Sequence, residues 1–516
     1  MNKKLNIRIK IKPLVFSIIS GLLAAASFPK INLFFLIWIA FIPLIYAVRN
    51  EKPKESFFYG LIAGIVFFAC SMYWLAPMLE FNLGSIILAL ISSMILWFYL
   101  ALYWGIWALS LNWFSKFFNN SIITAAALSC LWVLLEYVRT YLLTGLPWVL
   151  AGYSQYEFRE IIQIAEWTGI YGVSFLILFC NFLFYFGLTK IKNRKNFFIA
   201  GILLIFSVSI FGAFRLDKFK FFGDEIYKAV IIQPSIDQYK KWDADYRNEI
   251  RTELELFAFR AGEKEADIVL WPESVVPSLL SADRQSYPLE NALSEYAGGL
   301  NIIGALFRDQ DGKDFNAVLS FMDGSKIYLQ IHKKNHLVPF GEYVPFRKVL
   351  APFFGVLNQM GDLERGNDKE IFRYKSLYIG TLICSENFYP DIARDFVLNG
   401  AKVLTNHTND AWFFKTAAPH QHFIMNVFRA IETRKTILIS ANSGVSGAVE
   451  ASGKIIYASA VFEAGIIPIS FIQNDYKTFY VKYGDVFVLV CGIIFAICLL
   501  FVLIASRGFL VLPKKK

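Results

Sequence analysis

The chain has 516 residues, of which 56% are hydrophobic, 17% are aromatic and only 18% are charged. Soluble domains carry about 25% charged residues, so this composition excludes a single ordinary soluble domain and a disordered chain. It indicates a membrane protein. The net charge of +10 suggests a nucleic-acid partner only if the basic residues lie together on a soluble surface.

Apolar stretches that could cross a membrane crowd the first 215 residues, and one more lies near the end of the chain. A membrane-spanning helix needs about 20 mostly apolar residues. We predict a polytopic helical membrane domain with seven spans over 1–222, an extracytoplasmic domain over 223–483, and an eighth span with a basic tail over 484–516. The predicted spans are 14–29, 31–48, 56–79, 84–113, 120–143, 163–188, 197–214 and 485–506.

The basic residues predict the orientation of these spans, because short cytoplasmic segments are enriched in Lys and Arg. The segments on the N-terminal side of the membrane hold 17 basic and two acidic residues. We therefore expect both termini in the cytoplasm and residues 223–483 outside it. The basic charge then reports topology, and a nucleic-acid partner is not predicted.

Between residues 215 and 484 the sequence changes character, and charged residues return among short apolar runs. Several of these runs are almost continuously apolar, which favours strands buried on both faces of an α/β layered domain. Helices are predicted at 244–262, 288–297, 389–399 and 419–434. The predicted strands are 228–235, 266–274, 301–307, 316–322, 326–334, 377–386, 402–409 and 436–442.

Three residues with reactive side chains lie at the ends of such predicted strands, namely Glu273, Lys334 and Cys384. Strand ends in layered α/β domains often present reacting groups. Cys384 is the only cysteine predicted to lie outside the membrane spans, so it has no partner for a disulfide there. A thiolate needs a base to form it and a cation to stabilise it, so these three residues suit nucleophilic catalysis. A buried, inert thiol is the alternative interpretation.

These residues, in this order, resemble the Glu–Lys–Cys triad of the carbon–nitrogen hydrolase (nitrilase) superfamily. Further motifs resemble one branch of it, the apolipoprotein N-acyltransferase family, over nearly the whole chain. The resemblance implies a nitrilase-like αββα sandwich between the seventh and eighth of eight spans. The motifs are GLPWVLAGYSQ (145–155), WPES (271–274), KNHLVPFGEYVPF (334–346), LICSEN (382–387), NDAWF (409–413), PHQHF (419–423) and NSGVSG (442–447).

The resemblance implies that Glu273 is the general base, that Lys334 stabilises the oxyanion and that Cys384 is the nucleophile. Glu342 and Glu386 match supporting acids of the family.

Trp242 matches a tryptophan near the family's substrate site. The chain departs from the family pattern at Ser385, where an aromatic residue often stands, and this bears on how acyl chains pack beside the thioester.

The resemblance also implies a reaction and its partners. An acyl chain passes from a membrane phospholipid to the N-terminal amino group of the diacylglyceryl-cysteine of an apolipoprotein, through a thioester acyl-enzyme. This is the final step of lipoprotein maturation, at the bacterial inner membrane. Aromatic residues predicted to form an apolar rim are Phe340, Phe346, Phe353, Phe354, Trp412, Phe413 and Phe414, although ordinary core packing explains each equally well.

No metal or other cofactor is predicted. His420 and His422 are two apart at a helix start and so do not share a helical face. The sequence offers no carboxylate set at ligand spacing beside them, so we expect the histidines to make hydrogen bonds around the site.

Two alternatives remain open at the level of sequence. A membrane-tethered amidase or nitrilase would carry the same triad and release an acid to water. The other alternative is a non-enzymatic transporter or receptor. Transport would need charges along a substrate path inside the spans, and Glu136, Arg139 and Glu166 are few and lie near span ends or close to a loop.

Overall fold

The computed structural model describes residues 10–118, 122–189, 194–219, 225–238, 240–283, 287–350 and 361–506. The predicted rim residues Phe353 and Phe354, the predicted boundary at 222/223 and the basic tail after residue 506 lie outside these ranges.

The chain folds into two compact units, one formed by Met1–Asp217 with Asp485–Lys516 and the other by Lys218–Gly484. Within the described residues the first unit contains helices and no strands. Its helices before the second unit are α1 (Ile11–Ala26), α2 (Ile37–Ala40), α3 (Ile42–Val48), α4 (Pro53–Ser71), α5 (Leu75–Leu83), α6 (Ile86–Phe118), α7 (Ile122–Tyr141), α8 (Arg159–Ile162), α9 (Ala165–Thr168), α10 (Ile170–Leu188) and α11 (Arg194–Lys218).

Six helices in the described part of the chain are long and apolar enough to cross a membrane: α4, α6, α7 with the turn after it, α10, α11 and the closing helix Val486–Ser506. They correspond to six of the eight predicted spans. The other two predicted spans are shorter apolar helices, because α1 has 16 residues and the second segment is interrupted at Phe41, between α2 and α3. The total of eight spans therefore stays a prediction.

The charged residues of α7 hold the segment that follows this helix. Glu136 Oε1 accepts hydrogen bonds from the backbone N–H of Ala151 at 2.8 Å and from Trp132 Nε1 at 2.9 Å. Arg139 Nη1 donates to the carbonyl oxygen of Trp148 at 3.1 Å. These bonds give both charges a structural role within the unit, which weakens the transporter interpretation.

The second unit contains two mixed β-sheets in its described residues. The first has the strand order β13-β1-β2-β4-β5-β6, with β3 paired to β4, and the second has the order β12-β11-β10-β9-β8-β7. The strands are β1 (Ile226–Gln233), β2 (Ile268–Leu270), β3 (Leu279–Ser281), β4 (Leu300–Arg308), β5 (Asp314–Phe321), β6 (Gln330–Lys333), β7 (Ile371–Tyr374), β8 (Leu377–Ile383), β9 (Val403–Thr408), β10 (Ile437–Ala441), β11 (Gly447–Val449), β12 (Ile455–Ala458) and β13 (Gly465–Ile472).

The two sheets pack face to face around one buried apolar cluster. Ile231 and Ile302 of the first sheet belong to the same cluster as Ile379 and Leu438 of the second. Burial on both faces explains the nearly continuous apolar runs of these strands.

Helices cover the outer face of each sheet. Leu254 of α12 (Arg247–Gly262) and Leu293 of α13 (Pro288–Ala297) are buried with Val269 of the first sheet. On the second sheet, a Cβ at Gly380 would lie 2.8 Å from the Cβ of Phe396, so glycine permits α15 (Pro390–Leu398) to approach closely. The layers form the predicted αββα sandwich. The helices are α12 (Arg247–Gly262), α13 (Pro288–Ala297), α14 (Arg347–Leu350), α15 (Pro390–Leu398), α16 (Ala418–Thr433) and α17 (Phe479–Tyr483).

All eight predicted strands and all four predicted helices of this unit are present, with shifted ends. The predicted strand 377–386 ends at Ile383, because a short 3-10 helix, Cys384–Phe388, begins there. The sequence prediction missed β3, β7, β11, β12 and β13. Strand β13 contains Pro468, and proline is rare within strands, so the sequence gives little sign of it. The proline is tolerated because β13 lies at the edge of its sheet, where it pairs only with β1.

Candidate active site

The strands bring the predicted triad to one edge of the sandwich. Glu273 follows β2, Lys334 directly follows β6 and Cys384 directly follows β8. β2 is parallel to β4, and β6 runs in the same direction as β4 because β5 is antiparallel to both. Glu273 and Lys334 therefore emerge at the same edge of the first sheet.

Glu273 is a nearly buried carboxylate whose two oxygens both accept hydrogen bonds. Oε1 accepts from Asn316 Nδ2 at 2.6 Å, and Oε2 accepts from the backbone N–H of Asn409 at 2.9 Å. The loop before it is fixed by His407 of the second sheet, whose Nδ1 lies 2.6 Å from the carbonyl oxygen of Trp271. These contacts orient the carboxylate from both sheets.

Lys334 is 1% exposed and lies between two carboxylates. Its Nζ is 3.0 Å from Glu342 Oε1 and 3.4 Å from Glu273 Oε1. Burial opposes the charged form, but Glu342 and Glu273 outweigh it and hold the pKa of Lys334 above its usual range. The side chain is thus a fixed cation, which suits stabilisation of an oxyanion.

Cys384 begins the 3-10 helix after β8 with φ +50°, a conformation that is strained for a residue with a side chain. Its Sγ lies 3.4 Å from Thr408 Oγ1. Burial, together with the charge of Glu273, raises the pKa of the Cys384 thiol, and Lys334 opposes this rise. The resting group is therefore a thiol that needs a neighbouring base to react, and Glu273 is available for that role.

Glu386 is fully buried and fixes the backbone beside two members of the triad. Its Oε1 accepts from the N–H of Asn335 at 2.6 Å, and its Oε2 accepts from the N–H of Ile383 at 2.8 Å. His332 Nε2 lies 3.5 Å from Oε2. Burial raises the pKa of Glu386, but His332 and the two N–H donors lower it by more, so the net shift is downward.

The two parts of the chain match two protein-family models. Residues 20–183 match the apolipoprotein N-acyltransferase N-terminal domain, and residues 229–473 match the carbon–nitrogen hydrolase domain. A relative from Geobacter metallireducens named apolipoprotein N-acyltransferase is 32% identical over 492 residues, covering 92% of both chains. The chain belongs to the apolipoprotein N-acyltransferase family.

A second relative with that name, from Shewanella oneidensis, is 30% identical over 504 residues and covers 93% of this chain and 94% of its own. Among solved structures, Nit3 of Saccharomyces cerevisiae, a member of branch 10 of the nitrilase superfamily, has a TM-score of 0.39 at 16% identity. It covers 48% of this chain and 90% of its own. Family membership and the apolar helices make the protein a multi-pass membrane protein.

A further polar network lies on the other side of Cys384 in this member of the apolipoprotein N-acyltransferase family. Thr408 Oγ1 lies 3.0 Å from Asp410 Oδ1, which is 2.8 Å from His422 Nδ1. Ligand atoms of Cys384, Asp410 and His422 lie within 4.8 Å of one another, a set that could hold a metal ion by residue type. Each nitrogen of His422 faces an oxygen acceptor, however, so neither offers a lone pair for a metal.

Two site residues escaped the sequence prediction. Asn316 lies inside the apolar strand β5, and its Nδ2 donates to both Glu273 and Glu342, at 2.6 and 2.7 Å. Lys241 is 1% exposed and near enough to Glu273 for this carboxylate to raise its pKa, although burial dominates and lowers the pKa to about 8. In the sequence, Lys241 is marked only by its place in the KKWD motif, and the role predicted from that motif was given to Trp242.

Among the described residues, Trp242 makes no hydrogen bond to the triad. Its side chain is 45% exposed, and its ring lies 5.8 Å from Lys241 Nζ. Of the described rim residues, Phe340, Phe346 and Trp412 are exposed, whereas Phe413 and Phe414 are partly buried. A substrate-binding role for Trp242 and the apolar rim stays a prediction.

Proposed function

We propose that the protein transfers an acyl chain from a membrane phospholipid to the N-terminal amino group of the diacylglyceryl-cysteine of apolipoproteins. The observation that carries this proposal is the buried Glu273–Lys334 pair beside Cys384. Two relatives that match over more than 90% of the chain are named apolipoprotein N-acyltransferase, which supports an apolipoprotein as the acceptor of the acyl chain. The phospholipid donor and the bacterial inner membrane follow from the resemblance of the motifs and from the membrane helices.

In the first half-reaction, Glu273 accepts the thiol proton and Cys384 Sγ attacks the ester carbonyl carbon of the phospholipid. The ammonium of Lys334 and the backbone N–H of Ser385 stabilise the oxyanion; loss of one such donor typically costs about 100- to 1,000-fold in rate. The intermediate collapses as the carbon–oxygen bond breaks. The lysophospholipid leaves with the proton from Glu273, and a thioester remains on Cys384.

In the second half-reaction, the neutral α-amino group of the acceptor attacks the thioester carbonyl carbon. The same two donors stabilise the oxyanion, and Glu273 accepts a proton from the attacking nitrogen. The carbon–sulfur bond then breaks, the proton returns to the sulfur of Cys384, and the product is an amide. Supporting roles fall to Glu342, which holds Lys334, and to Glu386, which holds the backbone beside both residues.

The acyl-enzyme must survive until the lipoprotein arrives, so water has to be kept from the thioester. Exposed aromatic residues such as Phe340, Phe346 and Trp412 suit an apolar rim that meets lipid. The Lys/Arg bias supports a topology in which this unit is extracytoplasmic and both termini are cytoplasmic. The second candidate, a membrane-tethered carbon–nitrogen hydrolase, uses the same first half-reaction and differs only in its acceptor.

The test uses the full-length protein in detergent with a phospholipid that carries a labelled acyl chain. We expect one labelled chain on Cys384 by mass spectrometry, removal of the label by hydroxylamine, and no label on Cys384→Ala. Equal labelling of the alanine variant, or none on wild type, contradicts the mechanism. Adding a diacylated lipopeptide with a free amino group must then discharge the label onto the peptide; discharge to water alone would assign the protein to the hydrolases.

A further inference from the structure

His422 has a hydrogen-bond acceptor at each ring nitrogen. Nδ1 lies 2.8 Å from the carboxylate oxygen Oδ1 of Asp410. Nε2 lies 3.2 Å from the carbonyl oxygen of Cys384 and 3.0 Å from Oδ1 of Asn387. The amide of Asn387 is oriented by its own bond, in which Nδ2 donates to the carbonyl oxygen of His422 at 3.2 Å. Its oxygen therefore faces the ring.

A neutral imidazole donates from one nitrogen only, so it cannot satisfy acceptors on both sides. The doubly protonated ring can. His407 provides a contrast within the same unit: its Nδ1 faces the carbonyl oxygen of Trp271, but its Nε2 faces the hydroxyl of Thr405, which can donate. His407 is thus satisfied as a neutral ring, and burial lowers its pKa to about 4. The geometry makes His422 an imidazolium paired with Asp410.

The carbonyl oxygen that His422 holds belongs to the peptide unit joining Cys384 to Ser385. This unit is trans, so the N–H of Ser385 points away from the oxygen that accepts from the ring. Fixing and polarising the carbonyl therefore aims and strengthens the N–H on the opposite side. The same bond restrains Cys384 in its strained conformation at φ +50°.

We propose that His422, as an imidazolium, is a positioning residue that holds the Cys384–Ser385 peptide unit so that the Ser385 N–H stabilises the oxyanion of the acyl-transfer reaction. This inference rests on the proposed function and adds to it a residue with a defined charge. From the sequence alone, His422 is expected only to make hydrogen bonds around the site.

The ionisable groups that face His422 come from three turns: Asp410 after β9, Cys384 after β8 and Glu273 after β2. Burial lowers the pKa of His422, but Asp410 and Glu273 raise it by more, so the net shift is upward. The ring therefore keeps its second proton below this raised pKa and loses it as the pH rises further. Acyl transfer that depends on the imidazolium declines over the same range.

Two variants separate the charge of the ring from its hydrogen bonds. In His422→Gln the amide has a single donor group, which cannot reach both Asp410 and the Cys384 carbonyl. In Asp410→Asn the new amide can donate to Nδ1, so a neutral His422 can still donate from Nε2 to the Cys384 carbonyl. The hydroxyl of Thr408 then accepts from that amide and is free to donate to Cys384 Sγ.

The experiment measures the rate of acyl-enzyme formation from labelled phospholipid against pH, for wild type and both full-length variants. We expect His422→Gln to lower the maximal acylation rate about 100-fold, because a displacement of about 1 Å in the reacting geometry can cost this much, with KM for phospholipid unchanged. We expect Asp410→Asn to stay active and to lose the decline at high pH. Alkylation of Cys384 by iodoacetamide, followed by peptide mass spectrometry, reports whether the site remains folded.

Acylation of His422→Gln at the wild-type rate overturns the inference, as does an Asp410→Asn profile that keeps the same decline. If Cys384 of His422→Gln instead reacts with iodoacetamide as fast as in the urea-unfolded chain, its site has unfolded and the Asp410→Asn profile decides alone. Failure of wild type to form the acyl-enzyme overturns the proposed function, and the inference with it. If wild type forms the acyl-enzyme and neither variant differs from it, only the proposed role of His422 is refuted.

Discussion

The ammonium of Lys334 lies 3.0 Å from the carboxylate of Glu342, which is closer than its 3.4 Å approach to the proposed base, Glu273. Glu342 is itself fixed, because its other oxygen accepts from the N–H of Val338 at 2.7 Å. Lys334 is therefore held chiefly by a residue that has no proton-transfer role in the proposed mechanism. This leaves Glu273 free to act on the thiol while the cation stays in place.

Replacing Glu342 by Gln is expected to slow acylation of Cys384 about 100-fold, because a displacement of about 1 Å in the reacting geometry can cost this much. Glu273 is then the remaining carboxylate beside the ammonium of Lys334, and this ammonium draws Glu273 away from the sulfur of Cys384. Labelled phospholipid gives the rate. Asp314→Asn, which breaks an exposed pair with Arg308 at 2.6 Å, is the matched control and should leave the rate unchanged. Equal effects of the two variants would contradict a specific role for Glu342.

Replacing Lys334 by Met is expected to slow alkylation of Cys384 by iodoacetamide at a fixed pH. Lys334 is the cation that lowers the pKa of this thiol, so its loss raises the pKa further, and each unit reduces the thiolate about tenfold. The alkylation profile must therefore shift to higher pH. Lys333→Met removes the neighbouring, more exposed lysine that pairs with Asp309, and this profile should not move. A common shift in both variants would count against the assignment.

Replacing Glu386 by Gln is expected to destabilise the protein at neutral pH by about 1–3 kcal/mol, because one of two buried N–H groups loses its acceptor. The pKa of Glu386 is lowered in the folded state, so its contribution is complete above the unfolded value, about 4.3, and is lost as the pH falls through the folded one. Denaturant unfolding of the full chain at several pH values measures this. The difference from wild type should narrow in acid; a gap independent of pH would exclude ionised Glu386 as its source.

Replacing Lys241 by Met is expected to stabilise the protein at pH 7. Burial lowers the pKa of Lys241 to about 8 in the folded state, so the unfolded chain binds more protons between about pH 8 and 10.4. Wild-type stability should therefore rise with pH across this interval, and the rise should be absent from the variant. Lys240→Met, at the exposed neighbouring position, serves as the control and should retain it. Thermal unfolding from pH 7 to 10 provides the comparison.

The sequence predicted the triad because its three members follow apolar strands, a local property that survives folding. Asn316 was missed for the opposite reason: it lies within a buried strand, and only the pairing of β5 with β4 and β6 brings it between two carboxylates. Lys241 was missed because a lysine beside another lysine resembles a solvated surface, and its burial depends on contacts far away in sequence.

The division of the strands between two sheets also lay beyond the sequence pattern. Strands buried on both faces look alike in either sheet, so the sandwich was inferred from motif resemblance alone. The pairing of β1 with β13 joins residues more than 230 positions apart, and no local signal marks it. The predicted span 31–48 shows the converse limit, since its apolar sequence gave no sign of the break at Phe41.

Glu386 links the backbone segments that carry Lys334 and Cys384. One carboxylate bonds the backbone next to Lys334 and the backbone next to Cys384, so it couples the position of the proposed cation to that of the proposed nucleophile. Among the described residues, Phe340 and Phe346, whose rings are exposed, make no hydrogen bond to Glu386. Because Glu342 lies between these two residues and contacts Lys334, the proposed rim can change in side-chain size only where the backbone that places Glu342 is preserved.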